Sequence, residues 1–192
     1  QRVSLFCYEP AVLSTWLKQL AKQPSPVDVL VTSGRPQAAV QAALHTLGWT
    51  STANTWQQGA CAEQGQLVLH RLPYLSQNDF DYLLWSCDLN MVRGEDSLVR
   101  ALWAGKPLVW HIYPQDDNAH HDKLDAFLDW LKAPTSLREF HHAWNGISTA
   151  LTTPSPITLG TWLTTTQVAG QRLQIHRLTC LRLLGSNRFC CQ

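Results

Sequence analysis

Apolar residues fall along this chain in two alternating patterns. Short, nearly continuous apolar runs at Val3–Tyr8, Val27–Val31, Gln66–Leu72, Leu89–Val92 and Leu108–Ile112 predict strands. The run at Leu89–Val92 has the character of a strand buried on both faces. Between the runs, apolar positions recur at helical spacing. Leu13, Trp16, Leu17 and Leu20 follow Pro10, and a second helix runs from Pro36 through Leu47 to a stop at Gly48. Phe80, Leu83 and Leu84 form a short helix, Leu98, Leu102 and Trp103 another, and His121, Leu124, Phe127, Leu128 and Leu131 a third behind an Asp116-Asp117-Asn118 cap. The polar stretch from Ser51 to Gly65 predicts a loop with weak strand content. Strands alternating with helices imply an α/β domain, Rossmann-like in the broad sense, with three layers and a mainly parallel sheet.

The chemistry concentrates between Leu83 and Gln115. Arg93-Gly94 breaks the Leu89–Val92 strand, Glu95-Asp96-Ser97 opens a helix, and Gly105 with Pro107 behind it ends that helix. A helix that opens straight after a strand aims backbone N–H groups and a positive dipole end at whatever lies above it. Strand–Gly–helix turns occur throughout α/β proteins and most bind nothing. Arg93 changes the balance, because a guanidinium at that point suits a bidentate phosphate contact. Glu95 and Asp96 favour the helix start but repel a phosphate, so they are expected to accept hydrogen bonds from hydroxyls or to brace the loop. Pro73 before Tyr74, just past a strand's C-terminal end, makes a shelf on which a base can stack. Phe6 and Tyr8 share one strand face and fit either core or ligand; Phe80 reads as core; Arg35 either faces a cleft or is a solvated loop cation.

The sequence has 192 residues, enough for one domain with its own core, and a formal net charge of +1. No global field argues for nucleic acid or a membrane surface, and no apolar run reaches the length of a membrane span. The six cysteines have no CxxC spacing, which favours reduced thiols and a cytoplasmic protein. His120-His121-Asp122 and His141-His142 are expected at the surface or between domains and not on a metal, since adjacent helical residues diverge by about 100°. Nine tryptophans are many for this length, so some are expected to line surfaces rather than the core.

Leu83–Asn90 with Arg93-Gly94-Glu95-Asp96-Ser97, then Trp103-Ala104-Gly105-Lys106-Pro107 and Trp110-His111-Ile112-Tyr113-Pro114-Gln115, resembles the bacterial elongation factor P arginine rhamnosyltransferases. The resemblance runs from about Val3 to Ala150. It implies the C-terminal, nucleotide-sugar-binding domain of a two-domain GT-B glycosyltransferase, which moves rhamnose from dTDP-rhamnose to an arginine of elongation factor P. It further implies that Tyr74 and Phe80 contact the thymine ring and Gln77 bonds it. Arg93, Gly94, Asp96 and Ser97 would hold the diphosphate, with Phe6, Tyr8 and Tyr113 closing the pocket. Glu95 would be the catalytic carboxylate that orients the loop and the sugar nucleotide. No metal or other cofactor is expected. The carboxylates that orient the acceptor arginine would belong to the other domain, so this chain alone is expected to bind donor without turning it over.

Residues 1–150 are thus expected to form the donor domain and 151–192 a helical or tail segment, atypical after about 178. The strand beginning almost at the first residue fits a piece cut at a domain boundary. The tail has four arginines, no acidic residue after Glu139 and half of the cysteines. It lacks the aromatic interleaving of a nucleic-acid module. Two rival readings remain at this point: another sugar-nucleotide transferase or epimerase of the same architecture, such as a UDP-sugar enzyme, and a non-catalytic interaction domain.

Overall fold

The computed structural model describes residues 1–151 together with Trp162 and residues 165–167. Six strands form one sheet: β1 (Arg2–Leu5), β2 (Val27–Val31), β3 (Cys61–Gln64), β4 (Leu67–Arg71), β5 (Leu89–Arg93) and β6 (Leu108–His111). Their order across the sheet is β3-β4-β2-β1-β5-β6, parallel throughout except for the antiparallel β3–β4 pair. Seven helices are described: α1 (Leu13–Leu20), α2 (Arg35–Thr46), α3 (Thr50–Gln58), α4 (Gln77–Ser86), α5 (Gly94–Ala104), α6 (Ala119–Leu131) and α7 (Thr135–Trp144). The mainly parallel α/β architecture is the one the hydrophobic pattern predicts.

The core forms where the two periodicities meet. β1, β2 and β4 turn Val3, Leu5, Val29, Val31, Leu67 and Leu69 inward against the apolar stripes of the helices, all at 1% exposure or less. β5 is buried along both faces until Arg93. Where two polar side chains enter this interior they satisfy each other. Ser4 Oγ donates to Asn90 Oδ1 at 2.6 Å, and Asn90 Nδ2 donates to the Leu84 carbonyl at 3.0 Å, which ties α4 to the centre of the sheet. Five tryptophans (Trp16, Trp56, Trp110, Trp144 and Trp162) are buried, whereas Trp85, Trp103 and Trp130 are exposed.

Three local expectations are corrected. Ser51–Gly65 is not loop: it holds most of α3 and all of β3, the former burying Thr52, Ala53 and Trp56 on one side. The apolar run at Val3–Tyr8 is a strand only to Leu5, after Arg2 has joined it, so Phe6 and Tyr8 extend past the sheet edge. His120 and His141 are buried rather than at the surface. His141 lies in α7 between two backbone partners, accepting from Trp110 N–H at Nε2 (3.0 Å) and donating from Nδ1 to Leu137 O (2.9 Å). Its neighbour His142 points the other way and meets Asp125 of α6 at 2.8 Å. The segment expected after residue 150 lies outside the described residues apart from Leu151, Trp162 and residues 165–167.

Candidate active site

The chain order of the strands reverses around β1. From β1 it proceeds through β2 to β4 on one side, then returns to place β5 on the other. Connections therefore diverge above the C-terminal ends of β1 and β5, which opens a crevice there. A cleft of about 710 Å³ occupies this position, lined on one wall by Phe6, Arg93 and Gly94–Ser97, and on the other by Tyr74–Gln77 and Phe80, with Thr32, Ser33 and Arg100 completing it.

Gly94 makes the turn from β5 into α5 at φ +68°, the left-handed region where a side chain is disfavoured. No side chain caps the helix, so its first-turn N–H groups and positive dipole end face the cleft. Trp110 Nε1 donates to the Gly94 carbonyl at 2.9 Å and holds the turn from β6. Ser97 is buried and its hydroxyl donates back to the Arg93 carbonyl, so its contribution to the cleft is backbone rather than a free hydroxyl.

Arg93 ends β5 with its guanidinium 4.5 Å from the Phe6 ring centroid and 4.8 Å from that of Tyr8. Two aromatic faces thus hold a cation at the helix N-terminus, an interaction worth about 0.5–2 kcal/mol at each such contact. Phe6 meets Phe80 edge-on at 5.4 Å, which continues the aromatic wall toward Tyr74, the most exposed large hydrophobic side chain among the described residues at 88%. Phe80, which reads as core from its spacing, is half-buried and lines the cleft.

Tyr8 meets three further groups besides Arg93. It packs edge-on against His111 (5.1 Å) and Tyr113 (5.8 Å) and carries the Arg35 guanidinium 5.1 Å from its centroid. Its own N–H donates to His111 Nδ1 at 3.3 Å. Burial pushes the His111 imidazole down to about 4, so at neutral pH it is uncharged and its Nδ1 lone pair is available for that bond. Arg35 is a paired cation, bound through Nε and Nη2 to both oxygens of Glu9 at 2.8 and 2.6 Å.

Glu95 stands at the cleft edge, and Lys123 of α6 donates to it at 2.7 Å. That hydrogen bond holds its carboxyl below the usual range, so it is anionic at neutral pH. Asp96 accepts from Arg100 Nε at 3.3 Å. Arg100, which sequence reasoning did not single out, is gripped more firmly by Asp81: its Nη1 lies 2.8 Å from each carboxylate oxygen. All eleven residues that the resemblance assigns to the site therefore fall at this end of the sheet. Ten of them form or abut the cleft and its Tyr8 margin, while Tyr113 reaches that margin through Tyr8. Arg100, His111 and Lys123 were missed because a lone Arg, His or Lys in a helix or strand carries no spacing signature; only the fold brings them here.

The family model described as "Elongation-Factor P (EF-P) rhamnosyltransferase EarP" matches residues 1–184. The chain belongs to the EarP family. A protein-arginine rhamnosyltransferase of Pseudomonas putida is 44% identical to this EarP-family chain over 154 residues, covering 74% of it and 38% of the relative. The corresponding enzyme of Pseudomonas aeruginosa is 44% identical over 149 residues with the same coverage, and one from Neisseria meningitidis is 38% identical over 125 residues, covering 65% and 32%. The chain thus spans under two fifths of the length of these relatives. A chain solved in work on the structural basis for EarP-mediated arginine glycosylation of translation elongation factor EF-P superposes with a TM-score of 0.66 at 32% identity, over 89% of this chain and 55% of that one.

Proposed function

We propose that this chain is the donor-binding half of a protein-arginine rhamnosyltransferase: it binds dTDP-rhamnose and presents it for transfer to an arginine of elongation factor P in the cytoplasm. The observation that carries this reading is Arg93. A guanidinium held against two aromatic rings at an uncapped helix N-terminus, in a cleft whose other wall is aromatic, suits a nucleoside diphosphate and little else. Relatives and the superposed chain support the sugar and the acceptor by their stated activities.

The chemistry follows from the charges. Attack of the acceptor guanidine on the anomeric carbon releases dTDP, and negative charge grows on the diphosphate oxygen that leaves. Arg93 and the first-turn N–H groups of α5 stabilise that charge, which is the task a metal performs in other transferases. Tyr74, Phe6 and Phe80 hold the base, with Gln77 at its edge. Glu95, kept anionic by Lys123, accepts hydrogen bonds from sugar hydroxyls and cannot serve as a general acid at neutral pH.

Isothermal titration calorimetry with dTDP-rhamnose, dTDP and UDP tests the donor assignment. The dTDP ligands bind, UDP binds less well, and Arg93→Ala weakens dTDP by about 1.5–3 kcal/mol, or roughly ten- to a hundredfold in Kd. A folded chain that takes up none of these ligands, or an Arg93→Ala variant that binds dTDP unchanged, sinks the assignment.

A further inference from the structure

We propose that Arg100 sets the base selectivity of the cleft by fixing which end of the Gln77 amide faces the nucleotide; the inference rests on the donor-binding reading above. Arg100 is a positioning residue here, acting through Gln77.

Three bonds define the arrangement. Asp81, one helical turn beyond Gln77 on α4, takes Arg100 Nη1 with both oxygens at 2.8 Å, and Asp96 takes Nε at 3.3 Å. The side chain is 18% exposed, and its guanidinium is anchored by carboxylates from two helices. Its Nη2 group, together with the Nε–H shared with Asp96, meets the end of the Gln77 side chain. A guanidinium carries N–H groups and no acceptor, so the amide atom facing it must be the oxygen. In that orientation Gln77 Oε1 accepts from Arg100 Nε at 3.2 Å and also from Nη2.

The consequence is chemical. An unconstrained glutamine offers a base both a donor and an acceptor, and rotates its amide to suit either edge. Here the oxygen is turned to Arg100, which meets it with Nη2 and with the Nε–H that Asp96 shares. What is left for the cleft is the NH₂ group, which only donates. Gln77 and Arg100 both line the cleft, so the wall they share selects a carbonyl on the base edge and is mismatched to an amino group. Among pyrimidines this contrast belongs to ring position 4, a carbonyl in thymine and uracil and an amino group in cytosine; N3 differs in the opposite sense, so we place the Gln77 amide at position 4. Asp81 thereby contributes to selectivity without touching the nucleotide.

The test compares dUDP with dCDP on the 192-residue chain, since these two lack the thymine methyl group and differ at the 4-position edge. Calorimetric titration is expected to give dUDP the lower Kd by roughly tenfold or more, the usual size of one mismatched hydrogen-bonding group. Arg100→Met frees the amide to rotate, and the ratio of the two Kd values falls toward unity by about tenfold. Gln77→Glu, which leaves Arg100 in place and offers only acceptors, shifts preference toward dCDP and gives an independent reading where Arg100→Met does not fold. A loss of affinity equal for both ligands is what a merely structural role gives. A folded Arg100→Met or Gln77→Glu chain that keeps the wild-type ratio overturns the inference and leaves the donor reading standing. Failure of the wild-type chain to bind any nucleotide removes both.

Discussion

Two glycines with nearly the same backbone angle separate strain from space. Gly94 at φ +68° and Gly65 at φ +59° both occupy the left-handed region, where an L side chain costs about 1–2 kcal/mol. A Cβ at Gly94 meets nothing nearer than the Tyr8 hydroxyl at 3.8 Å, whereas one at Gly65 runs into the backbone carbonyl oxygen of Ala21. Gly94→Ala is therefore expected to cost about 1–2 kcal/mol in urea unfolding, the strain alone. Gly65→Ala is expected to cost clearly more, because the β3–β4 turn must move away from α1 or lose the Gln66 N–H bond to Ala21 O at 3.0 Å. Equal costs would show that the turn yields freely. At this same scale lies the limit of what the sequence discloses. Arg93 and Gly94 announce themselves by position, but Arg100 acquires meaning only when Asp81 and Gln77 stand beside it.

At the scale of elements, pattern alone disclosed those whose burial is one-sided or complete, which is why β2, β5, α1 and α5 were legible. α3 was not, because Thr50–Gln58 buries only Thr52, Ala53 and Trp56 among polar residues, and β3 is a four-residue edge strand that needs β4 to exist. α7 was hidden differently. It buries His141, whose polarity counts against a core position until its two backbone partners are seen. That burial has a consequence for acid stability. Burial pushes the His141 imidazole down to about 4, from an unfolded value near 6.5. Below pH 6.5 the unfolded chain binds a proton that the folded chain refuses, so stability is full above that pH and is lost as pH falls toward 4. At pH 5 the loss from His141 alone is about 2 kcal/mol. His111, also pushed down to about 4, acts in the same direction. Urea titrations at pH 7 and pH 5 measure the difference. His141→Gln, less stable at pH 7, is expected to show a flatter profile; an unchanged slope would place the acid sensitivity elsewhere.

At the scale of the whole molecule, the carboxylates at the mouth of the cleft decide what this chain does alone. An acceptor arginine must be oriented, and its guanidinium calls for carboxylates that are not already engaged. Around this cleft Glu9 is taken by Arg35, Glu95 by Lys123, and Asp81 and Asp96 by Arg100. Two of the three cations also touch residues proposed to hold the donor, Arg35 covering Tyr8 and Arg100 facing Gln77. Diverting Glu9, Asp81 or Asp96 to the acceptor would release a cation that packs on Tyr8 or Gln77. On the proposed donor-binding reading, these four carboxylates are already paired with cations of this chain, and the acceptor arginine is expected to be held from elsewhere. Incubation of the chain with dTDP-rhamnose and elongation factor P is therefore expected to leave the factor unmodified by intact-mass measurement, while the same preparation binds donor in calorimetry. Supplying the remaining part of a family enzyme in trans is expected to restore transfer. Addition of one deoxyhexose to elongation factor P by the chain alone would mean that one of these four carboxylates leaves its cation during the reaction, and Glu9→Gln, Asp81→Asn, Glu95→Gln and Asp96→Asn would then identify which.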